Sequence, residues 1–225
     1  MSRAFCIPGI LFLAFALILS FLTSISLPFL PALDITRTQF SSGVIETGQK
    51  GLTEVRFGVW APCYYDEDGS RTCAKAGHGY KFGISNQEKT ANVIIGSSWT
   101  QGLAVHPVAT GATLIAFALS FSQHATVTLI TSLTSFLAAF LTLIAFAIDI
   151  ALFAYLKHQV NKLPNVNAKT SPGAGFWMTL VTFVLLLLAG CTVCFGRRQQ
   201  RLAGATSYPT LSSEKKPFWA RFRKN

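Results

Sequence analysis

Phe57-Gly58-Val59-Trp60-Ala61-Pro62-Cys63, answered ten residues later by Cys73, is the stretch whose reading decides the fold. Between the cysteines lies Tyr64-Tyr65-Asp66-Glu67-Asp68-Gly69-Ser70-Arg71-Thr72. Asp68-Gly69 is a turn signal, because glycine reaches positive φ without a side-chain clash. The flanks 55–60 and 80–84 are rich in aromatic and β-branched residues and read as strands. A disulfide across this hairpin closes a loop of about eleven residues and is worth roughly 2.5–3 kcal/mol in the chain-entropy account. The alternative is two unpaired thiols, so the compartment decides between them.

Composition points to a membrane. The 225 residues are 51% hydrophobic and only 12% charged, with a mean hydropathy of +0.44; soluble domains carry about twice that charge. Four apolar runs account for it, and each is long enough to cross a bilayer core of about 30 Å: 5–27, 102–122, 125–156 and 174–195. The first follows Arg3 and ends near Ser24-Ile25-Ser26, so it also has the outline of a cleaved signal peptide. Its apolar run exceeds the usual length of about 7–15 residues, which favours a retained helix. In the second run Ala112, Ala116 and Ser120 recur every four residues, a spacing that lets another helix approach closely. The third is too long for one span and is expected to project beyond the membrane.

Charge gives an orientation. The net charge of +10 is concentrated at the end of the chain, whereas 28–100 holds seven bases and seven acids. Arg197, Arg198 and Arg201 directly follow the fourth run and place it with its end in the cytoplasm. Four spans then put 1–4, the tight turn 123–124 and the tail 196–225 inside, and the loops 28–100 and 157–173 outside. The cysteine pair lands where disulfides persist. Trp99, Tyr155 and Trp177 fall at the outer ends of helices two, three and four, as an interfacial aromatic belt requires. The expected architecture is an all-α, four-transmembrane-helix bundle carrying a small disulfide-locked extracellular β-sheet in its first loop.

Four helices, a large first loop and an aromatic-Gly-aliphatic-Trp-x-x-Cys…Cys hairpin resemble the claudin superfamily. Phe57, Gly58, Trp60, Cys63 and Cys73 carry that motif. With the short inner turn and Ala-Phe-Ala-Ile-Asp-Ile-Ala-Leu-Phe at 145–153, the chain is similar to the fungal branch, the PalI-domain family, over residues 1 to about 198. The resemblance implies a plasma-membrane tetraspan that organises cortical membrane domains or assists ambient-pH signalling. Two other classes compete: a claudin-like adhesion or pore protein, and an auxiliary subunit of a channel, transporter or cell-wall synthase. A pore would want a charge bias in the loop, which seven bases against seven acids do not give.

No catalytic constellation is visible, and no cofactor or metal is expected. Asp66, Glu67 and Asp68 are too close together on a tight turn to supply the spaced oxygens of a calcium loop, and Cys73 with His78 is too sparse for zinc. None of the loop asparagines opens an N-x-S/T triplet. His106 in helix two and Asp149 in helix three both lie one to two turns from the outer interface. They either meet as a proton-sensitive pair or stay apart, Asp149 being hydrated at headgroup level and His106-Pro107 marking a helix start. His78, in the loop, is the competing titratable group. On the inner side, Cys191 and Cys194 are candidates for palmitoylation, or else small apolar residues of a helix end. Arg197, Arg198 and the terminal Lys215, Lys216, Trp219, Arg221, Arg223 and Lys224 mix bases with aromatics. The same mixture binds nucleic acid, but a tethered tail meets anionic inner-leaflet lipids first. The expected partners are therefore the bilayer and other membrane proteins or further copies of this chain, with no nucleic acid.

Overall fold

Every apolar run folds as a helix, because inside a bilayer the backbone must satisfy its own hydrogen bonds. The computed structural model describes residues 6–42, 44–46, 51–86, 92–122, 124–163 and 166–206. Within these, four helical segments are long and apolar enough to cross a membrane. They are α1 (Cys6–Phe29); the continuous run of α2 (Ser97–Gln101), a 3-10 turn (Gly102–Ala104) and α3 (Val105–Ser120); α4 (Ala125–Val160); and α5 (Ala174–Thr206). α5 carries on past 195, the end of the apolar run. Small residues let the helices close up: Ala16, Ala116, Ala138, Ala139 and Ala189 are buried together with Leu13 and Leu186. Ala112 packs against the same cluster. Buried hydroxyls are satisfied within their own helices, as where Thr113 donates to the Ala109 carbonyl and Thr142 to that of Ala138, each at 2.8 Å.

The first loop builds β1 (Thr36–Ser42), β2 (Val44–Glu46), β3 (Leu52–Phe57), β4 (Pro62–Asp66), β5 (Arg71–Cys73), β6 (Phe82–Asn86) and β7 (Asn92–Ile95). The second loop adds β8 (Asn167–Pro172). All pairings are antiparallel, giving one sheet in the order β5-β4-β3-β1-β8 and a second in the order β2-β6-β7. The loop 157–173 is thus more than a connection: its strand zips onto β1 from Thr36↔Pro172 to Phe40↔Ala168, with Ser42↔Asn167 beyond an irregularity. The flanks of the motif also differ from the sequence expectation. The strand expected over 55–60 stops at Phe57, because residues 58–60 turn aside to bond α1. The strand expected over 80–84 begins at Phe82 and joins the second sheet.

The length of α4 organises the upper half of the molecule. Its 36 residues extend about 54 Å, well beyond a hydrocarbon core of about 30 Å. The surplus does not stand in water. Leu152, Leu156 and Val160, with Leu163 just past the helix, form one core with Val55, Phe57, Phe82 and Ile95 of the sheets. Phe57 and Phe82 meet edge to face at 4.9 Å, and Trp99 stacks on Tyr155 at 4.1 Å where α2 meets α4. The sheets therefore roof the bundle, with the end of α4 as their central post.

Candidate functional site

The motif residues converge where the loop meets α1. The residue before a proline is pushed out of helical conformation, and α1 is non-helical at Ser26 and Leu27, just ahead of Pro28. Pro28 has no N–H to give the Ser24 carbonyl four residues earlier. Trp60 supplies the replacement: its Nε1–H donates to that carbonyl at 2.6 Å. The Val59 N–H donates to Ser26 Oγ at 3.0 Å, and the Trp60 N–H reaches the Leu27 carbonyl at 3.4 Å. Gly58 is the point of closest approach, since a Cβ there would lie 2.8 Å from both the nitrogen and the oxygen of Leu27 and in hard contact with its Cβ.

The rest of the motif holds this contact in place. The Tyr80 hydroxyl donates to the Gly58 carbonyl at 2.8 Å, and the Thr100 hydroxyl donates to the Tyr80 carbonyl at 2.8 Å. Cys63 and Cys73 stand directly opposite on β4 and β5 and form a disulfide. Their strands are joined through Gly69 at φ 74°, as the Asp68-Gly69 signal requires.

Below the roof His106 and Asp149 meet. His106 Nε2 donates to Asp149 Oδ1 at 3.1 Å, with the two side chains 5% and 0% exposed. Asp149 is therefore not hydrated at headgroup level: its side chain is fully buried. Its second oxygen, Oδ2, is buried without a hydrogen-bond partner among the described residues. Thr110, one turn below His106, donates to the Ser20 carbonyl of α1 at 3.0 Å, so three helices are tied at this level. Burial pushes the Tyr80 phenol well above its ordinary value, with the charges of Tyr64 and Asp149 adding to the effect. Tyr80 therefore stays neutral over the physiological range. His78 is exposed and lies with its ring 4.7 Å from that of Trp60.

Cys191 is a free, exposed thiol. The side chains of Cys194, Arg197 and Arg198 lie outside the described residues, although their backbone belongs to α5. Lys215, Lys216, Trp219, Arg221, Arg223 and Lys224 lie outside the described residues altogether. Among the described residues no three His, Cys, Asp or Glu side chains gather as a metal site would need.

With four spanning helices, the sheet, the disulfide and the Trp60 clasp in place, the comparison with known families is direct: the model of the SUR7/PalI family matches residues 5–194. The chain belongs to the SUR7/PalI family. No curated protein sequence matches it significantly. Family membership and geometry agree on a membrane tetraspan whose signature residues clasp the first helix.

Three features of the clasp escape a reading of the motif alone: Ser24 and Ser26 as its receptors, and Pro28 as its cause. The signal for them was a proline near the end of an apolar run. The close approach at Gly58 gives the most direct test. Gly58→Ala should cost at least about 1–3 kcal/mol, the usual penalty for overpacking, and should lower the unfolding temperature of the purified protein in detergent. An unfolding temperature equal to that of the native sequence would show that the loop can stand off α1 freely.

Proposed function

We propose that this protein is a non-enzymatic plasma-membrane tetraspan that organises membrane domains at the cell cortex and assists the response to ambient pH. The observation that carries the reading is the His106–Asp149 contact: a titratable pair buried between α3 and α4, directly under the loop domain. Histidine is the side chain whose unperturbed titration falls between pH 5 and 8. Ionisable residues at membrane depth are costly and mark functional sites more often than structural ones. The contact joins α3 to α4, the helix that also supports the roof, so a change in it bears on the loop domain.

The orientation that this reading requires has the termini in the cytoplasm and the sheets outside. Two features support it: Arg197, Arg198 and Arg201 follow the fourth span, and the Cys63–Cys73 disulfide needs an oxidising side. The basic tail would then lie on anionic inner-leaflet lipid, with the exposed Cys191 within reach of acylation. Partners would be other membrane proteins or further copies of this chain.

An epitope placed after Asn225 should be reachable by antibody only in permeabilised cells, and one inserted near Gly48 should be reachable in intact cells; the reverse pattern would refute the orientation. The sensing role is tested by co-purification in mild detergent at acid and alkaline pH. His106→Gln and Asp149→Asn should abolish the pH dependence of partner recovery, and His78→Gln should leave it intact. If both membrane variants respond as the native protein does, the pair is structural. If His78→Gln alone removes the response, the exposed imidazole on Trp60 is the sensor.

A further inference from the structure

The membrane-proximal end of the outward sheet face holds more positive charge than its packing requires. Arg56 on β3, Arg37 on β1 and Ser171 on β8 stand directly opposite one another in register. Their sequence neighbours Val55 and Thr38 are buried, so this row points away from the core. Like charges on opposed cross-strand positions repel, and each arginine is held by its own carboxylate. Arg37 donates Nε and Nη2 to Asp34 at 2.9 and 2.8 Å. Arg56 donates Nε and Nη2 to Glu54 at 2.9 and 3.3 Å, and Nη1 to the Pro31 carbonyl at 3.2 Å. The hydrogen bond donated to Glu54 raises the Arg56 pKa above its ordinary value, with burial opposing. The next row outward adds Lys169 and Arg71, both exposed, at the two edges of the sheet. Four bases therefore face two carboxylates, while the acids at 66–68 sit at the far end of the hairpin.

The position of Arg37 decides what this surface meets. Its carboxylate partner Asp34 is fully buried at the joint of α1 and α5, where the Gly175 N–H donates to the Asp34 carbonyl at 2.8 Å. Two aromatics flank that joint with their rings outward: Phe29 at the end of α1, 65% exposed, and Trp177 in the first turn of α5, 55% exposed. A tryptophan placed in this way marks the membrane interface. Arg37 thus stands at headgroup height, 30% exposed, with Nη1 making no hydrogen bond among the described residues.

We infer that Arg37, backed by Arg56, binds the phosphate of an anionic phospholipid in the leaflet beneath the sheets, with the acyl chains lying along the exposed apolar faces of α1 and α5. A guanidinium is weakly hydrated and offers a planar fork of donors that matches a phosphate. Beside it, Phe29 and Trp177 provide the apolar floor that an acyl chain needs and a free anion does not. The assignment is to the sheet side of the membrane, so it stands whichever compartment that side faces.

Native mass spectrometry of the purified full-length chain in detergent, with phosphatidylglycerol or phosphatidylcholine added, tests the inference. The native sequence should retain phosphatidylglycerol in preference, and millimolar inorganic phosphate should not displace it. The double variant D34N/R37Q keeps a hydrogen-bonded neutral pair in the joint and should bind phosphatidylglycerol about fivefold or more weakly, the effect of losing the guanidinium hydrogen bonds to the phosphate, at an unchanged unfolding temperature. Equal retention by the double variant, no preference between the two lipids, or displacement by inorganic phosphate would overturn the proposal. If the double variant unfolds early, Arg37→Lys decides. It keeps Asp34 paired but removes the fork, so retention should fall several-fold, and unchanged retention overturns the site.

Discussion

One hydrogen bond explains why the signature of this chain takes the form it does. A proline near the end of the first membrane helix leaves the Ser24 carbonyl without its helical donor, at a depth where water is scarce and an unmet carbonyl costs about 1–3 kcal/mol. The Trp60 indole meets it at 2.6 Å. A tryptophan suits the task because it brings a single donor on a large apolar body. The glycine two residues earlier follows from the same contact, since nothing larger than hydrogen fits against Leu27. The cysteine pair follows as well: the disulfide closes the hairpin that begins at Pro62, two residues after the tryptophan, and so limits how far the clasp can move.

The clasp and the buried pair are two ends of one assembly. Above the membrane, α4 rises into the core of the loop domain and is packed on by both sheets. Below, the same helix presents Asp149 to His106. Tyr80 is bonded to Gly58, and the charge of Asp149 adds to the upward shift of its phenol. The buried pair and the loop domain therefore share one helix, α4.

Much of this was legible in the residues, because hydrophobic length and cysteine spacing report local requirements. The four spans, the hairpin turn at Gly69 and the disulfide each depend on a few neighbouring residues. The meeting of His106 and Asp149 could be posed but not decided, since it turns on whether α4 emerges into water or into protein, and that depends on a roof built from distant strands. β8 was hidden for a related reason: 167–172 reads Asn-Ala-Lys-Thr-Ser-Pro, with little intrinsic strand preference, and becomes a strand only because β1 offers an open edge. Asp34 and Arg37 looked like ordinary loop charges until the joint of α1 and α5 buried one of them.

The central claim is that Trp60 is present to satisfy a carbonyl that Pro28 leaves unpaired. A double-mutant cycle between the two positions measures it, through the unfolding free energy of Pro28→Ala, Trp60→Phe and the combined variant in detergent. Alanine lifts the restriction that proline puts on Leu27 and lets the helix run on through 26–28, where its N–H meets the Ser24 carbonyl, so the cost of Trp60→Phe should shrink by about 1 kcal/mol or more when position 28 carries alanine. An equal cost for Trp60→Phe in both backgrounds would show that the indole contributes packing alone, and the account of the clasp would be wrong.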